Sequence, residues 1–216
     1  MFAFGAAAIA PEGERQNSST GLVFGSFNHL PKVTPAVVTV WARLLQAVPG
    51  SRLVLKAKRL GEPETRERYL ALFAAAGIAA DRLDLIGWRD APADHLALYR
   101  GIDIALDPFP YNGTTTTCEA LAMGVPVITL AGTRHAARVG ASLLAAAGLD
   151  QLVALSVDDY VSRAVELAGD TARRHALERT LRRTLATSTL CDGTRFAARF
   201  ATALREMWIR QCEKGG

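Results

Sequence analysis

Short apolar runs alternate with amphipathic segments over residues 22–155 of the chain. The runs lie in "LVFGSF", "SRLVLKAK", "DRLDLIGW", "IDIALDPFP" and "VPVITLAG", and their Val, Ile and Leu content is typical of buried strands. Between them, apolar residues recur every three or four positions, as on one face of a helix. Strands that alternate with helices predict an α/β fold with a doubly wound parallel sheet of the Rossmann type.

Proline marks the start of several predicted helices. Thr34 precedes Pro35, which predicts an N-cap followed by the first helical residue, and Pro92 opens a short helix after the third strand. From residue 156 onward the pattern is helical throughout. We therefore expect a disordered leader over residues 1–20, a Rossmann-like domain over residues 21–155, and C-terminal helices over residues 156–216 that pack on the same domain.

The stretch "NGTTTTCEALAMGVP", which begins at Asn112, joins the fourth strand to a helix. Gly113 allows the chain to turn, and residues 114–117 then occupy the N-cap and first helical turn, where β-branched residues cost little. Their hydroxyls and unpaired backbone N–H groups form a site for phosphate oxygens, with Glu119 one turn further on for the hydroxyls of a ribose. The alternative is an ordinary threonine N-cap with an exposed Glu119.

Other candidate residues follow the predicted strands, at the edge of the sheet where α/β proteins bind ligands. Lys32 follows the first strand and is placed to neutralise a diphosphate, with Asn28 and His29 as neighbouring donors. His95 lies at the start of the short helix, where its ring is placed to stack on a base. For each of these side chains, a solvated surface residue is the alternative.

The composition indicates what kind of ligand and which cellular compartment to expect. The formal charge of +4 comes from scattered Lys and Arg, which favours a phosphate-bearing small molecule over nucleic acid. Three cysteines without CxxC spacing suggest neither a disulfide framework nor a zinc site, so we expect a reducing cytoplasm. The apolar windows are too short for a membrane span. GxGxxG, GxxxxGK[ST], GxSxG and HExxH motifs are absent.

Three blocks of the sequence together resemble one known family. They are "FGSFNHLPKVTPAVVTVWARLLQAVPGSRLVLK", "ALYRGIDIALDPFPYNGTTTTCEALAMGVPVITLAG" and "ARVGASLL". In this order they are similar to the C-terminal catalytic half of the O-linked N-acetylglucosamine transferase and SPINDLY family, over about residues 20–213. The resemblance implies the C-terminal, nucleotide-sugar-binding half of a GT-B glycosyltransferase, which faces a separate N-terminal half in that fold.

The resemblance also implies roles for particular residues. Lys32 matches a lysine on the donor diphosphate, Glu119 a ribose ligand and His95 a residue beside the uridine. The backbone from Arg89 to Ala91 matches a segment that reads the uracil edge. Thr114 stands where animal enzymes have a histidine, and His29 where a glutamine or asparagine is usual. The implied catalytic residue is Lys32, and the implied donor-binding residues are Asn28, His29, Arg89, Ala91, His95, Asn112, Gly113, Thr114, Thr115, Thr116 and Glu119.

Three hypotheses for function follow. The first is a UDP-sugar-binding domain of a transferase that moves N-acetylglucosamine from UDP-N-acetylglucosamine to protein Ser or Thr, without a metal or other cofactor. The second is a UDP-binding module that transfers nothing until a separate N-terminal half docks onto it. The third is a partner-binding remnant without a ligand. Neither nucleic acid nor a membrane is an expected partner.

Overall fold

A computed structural model describes residues 21–89 and 91–214, so the leader expected over residues 1–20 lies outside the described residues. The sheet in this part of the chain consists of β1 (Val23–Ser26), β2 (Arg52–Lys56), β3 (Leu83–Ile86), β4 (Ile104–Leu106), β5 (Val127–Leu130) and β6 (Val153–Ala154). All neighbouring strands are parallel, in the order β3-β2-β1-β4-β5-β6. This is the Rossmann strand order, which confirms the doubly wound sheet.

The helices follow the strands as the periodicity predicts. They are α1 (Pro35–Ala47), α2 (Pro63–Ala75), α3 (Pro92–Ala97), α4 (Thr115–Ala122), α5 (Val139–Ala146), α6 (Val157–Gly169), α7 (Thr171–Ala186) and α8 (Gly193–Lys214). The Thr34 hydroxyl accepts a hydrogen bond from the Val37 N–H at 3.4 Å, so Thr34 is the N-cap of α1. Pro92 opens α3 as its sequence position indicates.

Strand β6 is absent from the sequence prediction. Its two residues pair with Thr129 and Leu130 of β5 and extend the sheet by one strand. A strand of two residues has no alternation of apolar and polar positions to detect, because that pattern needs at least four. Its position is fixed by pairing with β5.

A buried hydrogen-bond chain connects two helices to the end of β4. The indole Nε1 of Trp41 in α1 donates to the hydroxyl oxygen of Tyr160 in α6 at 3.2 Å. That hydroxyl donates in turn to the backbone oxygen of Asp107, also at 3.2 Å. Both aromatic side chains are fully buried, so each polar atom needs its partner. These two hydrogen bonds fix the position of Asp107, the residue at which the loop after β4 begins.

The C-terminal helices differ in how they meet the domain. Helices α6 and α7 bury apolar side chains, including Tyr160 and Leu181. Arg182 of α7 also donates hydrogen bonds to the carbonyl oxygens of Ala122 and Met123 at the end of α4. Helix α8 buries none of its residues, which differs from the expected packing on the domain. Five of its large apolar side chains are exposed, namely Phe200, Leu204, Met207, Trp208 and Ile209, while Phe196 is partly buried.

Within residues 21–89 and 91–214, no helix combines the length and apolar character needed to cross a bilayer.

Candidate functional site

The candidate site lies at the carboxyl ends of β1 and β4, where the strand order reverses. In doubly wound sheets this switch point opens a crevice between the loops. Two contacts join the loops here. Lys32 Nζ donates to the backbone oxygen of Asn112 at 2.8 Å, and the Thr116 hydroxyl donates to Asn28 Oδ1 at 3.0 Å. The structure therefore brings together residues that the sequence separates by about 80 positions.

The threonine run forms the first turn of α4, as predicted. Thr114 is the N-cap residue, and the helix begins at Thr115, whose side chain is exposed. The backbone N–H groups of this first turn have no acceptor within the helix. They point out of the helix N-terminus, where the dipole favours an anion. The turn can therefore bind phosphate oxygens that enter from the crevice.

Gly113 is required for space at this turn. A Cβ at this position would lie 2.5 Å from Thr116 Oγ1 and 2.8 Å from Asn28 Oδ1, closer than real Cβ atoms approach. Its φ is not positive, so the turn does not need the left-handed conformation that favours glycine. The physical reason for glycine here is close packing of the threonine turn against the loop after β1.

Lys32 brings a half-buried ammonium to the same crevice. Besides its bond to Asn112, its Nζ lies 4.1 Å from the centroid of the exposed Tyr111 ring, in a cation–π contact. Burial lowers the pKa of Lys32, and the nearby Asp107 carboxylate partly offsets that effect. The ammonium is thus held in place beside the first turn of α4 before any ligand binds.

Asp107, which the sequence analysis did not select, lies beneath this loop. Its buried carboxylate accepts hydrogen bonds from the Gly113 N–H and from the Thr129 hydroxyl, each at 2.6 Å. Burial raises its pKa to about 7, against the lowering effect of these two bonds and of Lys32. A charged residue directly after an apolar strand was the available signal. Asp107 fixes the loop that leads into the threonine turn of α4.

The side chains of Asn112 and Asn28 form hydrogen bonds with other groups of the protein. The Asn112 side chain is fully buried, donates to the Pro108 oxygen at 3.1 Å and accepts from the Gly140 N–H at 3.3 Å. Asn28 is also buried, and its Nδ2 donates to Ser26 Oγ at 3.3 Å. Direct ligand contact by these two amides, which the sequence suggested, is not supported by this geometry. They shape the loops that present Lys32 and the threonine turn.

A cluster of four side chains lies beside Lys32 and the threonine turn. It contains His95, Glu119, Tyr99 and Lys56. Glu119 Oε2 accepts from the Tyr99 hydroxyl at 3.2 Å and lies 3.0 Å from His95 Nε2. Lys56 Nζ lies 3.1 Å from the other ring nitrogen, Nδ1. Burial raises the pKa of the Tyr99 hydroxyl well above its ordinary value, so that group remains a donor. The predicted ribose ligand and the predicted base-lining histidine are therefore direct neighbours.

The remaining predicted residues lie at the rim. His29 and Arg89 are exposed, and Arg89 is close enough to Lys56 to lower its pKa. The Ala91 carbonyl accepts from the N–H groups of Asp94 and His95 at the start of α3, at 3.1 and 3.2 Å. That carbonyl is therefore already engaged in starting a helix.

Comparison with solved structures defines the class of protein. A mutant of the O-GlcNAc transferase of Thermobaculum terrenum superposes with a TM-score of 0.86 at 37% sequence identity, over 97% of this chain and 41% of that chain. The structure is accordingly a Rossmann-like half of a GT-B glycosyltransferase, with the candidate site at its switch point.

The family follows from the sequence comparisons. The chain belongs to glycosyl transferase family 41, whose model matches residues 12–200. It is 46% identical over 192 residues to a Petunia hybrida protein named a probable UDP-N-acetylglucosamine–peptide N-acetylglucosaminyltransferase SPINDLY, and 47% identical over 196 residues to the Arabidopsis thaliana protein of that name. These matches cover 89% and 90% of this chain, which spans about a fifth (21%) of each relative's length.

Proposed function

We propose that this chain binds the nucleoside diphosphate of a sugar donor, UDP-N-acetylglucosamine, for an enzyme that glycosylates Ser and Thr hydroxyls of proteins. The names of the plant relatives supply the donor and the protein acceptor. One observation carries the binding proposal. The Lys32 ammonium is held by the Asn112 carbonyl at 2.8 Å, beside the first turn of α4, which begins at the exposed Thr115, so two positive groups converge where a diphosphate would lie.

The same groups suit the chemistry of transfer. When an acceptor hydroxyl displaces UDP from the anomeric carbon, negative charge develops on the departing diphosphate. The Lys32 ammonium and the N–H groups of the α4 first turn would stabilise that charge, and preorganised donors of this kind supply much of the rate in enzymes. Because these groups provide the positive charge, the proposal includes no metal or other cofactor, and donor binding should persist in EDTA.

Transfer requires more than this chain in our proposal. The chain corresponds to 41% of the T. terrenum structure that it matches and to about a fifth (21%) of the plant relatives. We propose that the isolated chain binds the donor, and that a separate N-terminal catalytic half supplies the facing wall of the crevice and the acceptor site. The protein acceptor is then a partner of the complete unit. A cytoplasmic setting fits the free thiols of Cys118, Cys191 and Cys212.

Isothermal titration calorimetry tests the donor proposal. UDP and UDP-N-acetylglucosamine should bind the isolated chain, and GDP and a GDP-sugar serve as nucleobase controls. Absence of heat with UDP at millimolar concentration would overturn the proposal. Tighter binding of GDP than of UDP would reject UDP as the nucleotide while leaving the diphosphate site intact.

A transfer assay separates the two forms of the hypothesis. The isolated chain is incubated with radiolabelled UDP-N-acetylglucosamine and a Ser- and Thr-rich peptide, with and without an N-terminal catalytic half from a relative. We expect labelled peptide only when both halves are present. Label transferred by the isolated chain would show that it is a complete enzyme and would refute the binding-module form.

A further inference from the structure

Lys56 is a buried lysine at the carboxyl end of an interior strand. Its side chain is largely removed from water, since the residue is 7% exposed, and its Nζ lies 3.1 Å from His95 Nδ1 and 5.1 Å from the centroid of the Trp88 ring. Burial lowers its pKa, while the Glu119 carboxylate opposes that shift. Lysine is seldom buried without a specific partner. The partner here is a residue of the candidate donor site.

The bond to Lys56 determines which nitrogen of His95 carries the proton. An ammonium can only donate, so His95 Nδ1 must accept from it. The neutral ring then carries its hydrogen on Nε2, which donates to Glu119 Oε2 at 3.0 Å. While the Lys56 ammonium donates to His95 Nδ1, a second proton can bind this nitrogen only if that hydrogen bond breaks. This contact therefore favours the tautomer of His95 that carries its hydrogen on Nε2.

The charge on His95 matters because of what Glu119 must do. A neutral ring donates one hydrogen bond and leaves the carboxylate its full negative charge. An imidazolium would form an ion pair with the carboxylate and weaken it as an acceptor for other groups. The Tyr99 hydroxyl also donates to Oε2, so both protein bonds fall on one oxygen in the described structure. Oε1 is the oxygen left for a ligand.

We propose that Lys56 is a positioning residue that holds His95 neutral and thereby keeps Glu119 available to the ribose hydroxyls of the donor nucleotide. The inference rests on the proposed nucleotide binding and adds to it a residue that acts through two others. The ionisable groups around the His95 ring are Lys56 from β2, Glu119 from α4 and Tyr99 after α3, and Arg89 acts on Lys56 from the loop after β3.

The first test needs no ligand. Long-range ¹H–¹⁵N spectra of the histidine side chains are recorded at about pH 6.5, where an unconstrained imidazole is half protonated. The chain has four histidines, and His95→Gln identifies the signal of interest. We expect an unprotonated Nδ1 in the wild type and a clear protonated share in Lys56→Met. Lys58→Met is the matched control, because Lys58 is exposed and lies 5.9 Å from the same Trp88 ring.

The second test asks whether the effect reaches the ribose. UDP and 2′-deoxy-UDP are titrated into the wild type, Lys56→Met and Lys58→Met, with melting temperatures measured to verify folding. Loss of one well-placed hydrogen bond should weaken UDP about five-fold in Lys56→Met, with a smaller loss for the deoxy compound. Lys58→Met should bind both as the wild type does.

Each result decides a separate part of the proposal. An unchanged His95 signal in Lys56→Met would overturn the inference, and so would equal losses for UDP and its deoxy analogue, since these would indicate a general charge effect. A wild type that binds neither nucleotide would overturn the proposed function. The spectra would then still decide whether Lys56 governs the protonation of His95.

Discussion

Lys32 and Asn112 lie 80 positions apart in the chain, and the ammonium of the first donates a 2.8 Å hydrogen bond to the backbone oxygen of the second. This bond joins the loop after β1 to the loop after β4 across the switch point of the sheet. It also fixes a positive charge beside the first turn of α4, so the fold preorganises the proposed diphosphate site.

Replacing Lys32 tests its assignment to phosphate. We expect Lys32→Ala to weaken UDP about ten-fold and to leave uridine nearly unaffected, because a charge-assisted hydrogen bond to phosphate is lost. Calorimetric titration of both ligands measures the difference. Lys58→Ala, which removes an exposed lysine, is the control for net charge. An equal loss for UDP and uridine would contradict the phosphate role.

Asp107 should make folding stability depend on pH. Its pKa is raised from 3.8 to about 7, so the folded state binds a proton more tightly than the unfolded state does. The free energy of unfolding therefore falls as pH rises from about 4 to about 7, and this contribution is constant above that range. Asp107→Asn keeps the shape of the side chain and cannot titrate, so the decline should be smaller in the variant.

Urea denaturation at intervals from pH 4 to pH 8 measures this difference between the wild type and Asp107→Asn. Thr129→Val provides a second comparison. It removes a hydrogen bond that lowers the pKa of Asp107, so the decline should extend to higher pH. Parallel stability curves for the wild type and Asp107→Asn would show that Asp107 does not titrate in this range.

Gly140 leaves room for the buried carboxylate. A Cβ at this position would overlap Thr129 Oγ1 and Asp107 Oδ2, which are themselves hydrogen-bonded. Overpacking of this kind typically costs about 1–3 kcal/mol, so Gly140→Ala should lower the free energy of unfolding by that amount. Gly101→Ala is the matched control, because nothing outside its own chain segment lies within 4 Å of a Cβ placed there. Equal stability of the two variants would contradict the steric argument.

The Tyr160 hydroxyl connects α1 and α6 to the end of β4. Tyr160→Phe should destabilise the protein by about 1–3 kcal/mol, because it leaves the buried Trp41 N–H and the Asp107 carbonyl without this partner. Chemical denaturation measures the change. Tyr111→Phe removes a hydroxyl from an exposed ring and should have little effect. If Tyr160→Phe is as stable as the wild type, another donor must satisfy these groups.

Local signals made part of the fold and site predictable. Pro35, Pro92 and the threonine run mark helix starts through backbone geometry and capping, which depend on adjacent residues. Lys56 and Asp107 carry a signal as well, since each ends an apolar strand with a charge. Their partners depend on which strands are neighbours.

The contact of Asp107 with Thr129, for example, exists because β4 pairs with β5. The periodicity of one segment contains no information about that pairing. Strand β6 was missed for the same reason, because its two residues are a strand only by virtue of their neighbour. The burial of Asn112 likewise depends on Gly140, 28 residues away, and was not visible from the residue type.

The exposure of α8 has a consequence for cooperativity. The helix has 22 residues, or about 33 Å of length, and none of them is buried. Most helical stability in proteins comes from packing of an amphipathic face, and α8 has no buried residue to provide it. In the isolated chain, α8 should therefore melt independently, with rapid amide exchange, while β1 and β4 exchange only when the whole domain opens. On this basis we expect the unit that unfolds cooperatively to end before residue 193, with α8 outside it.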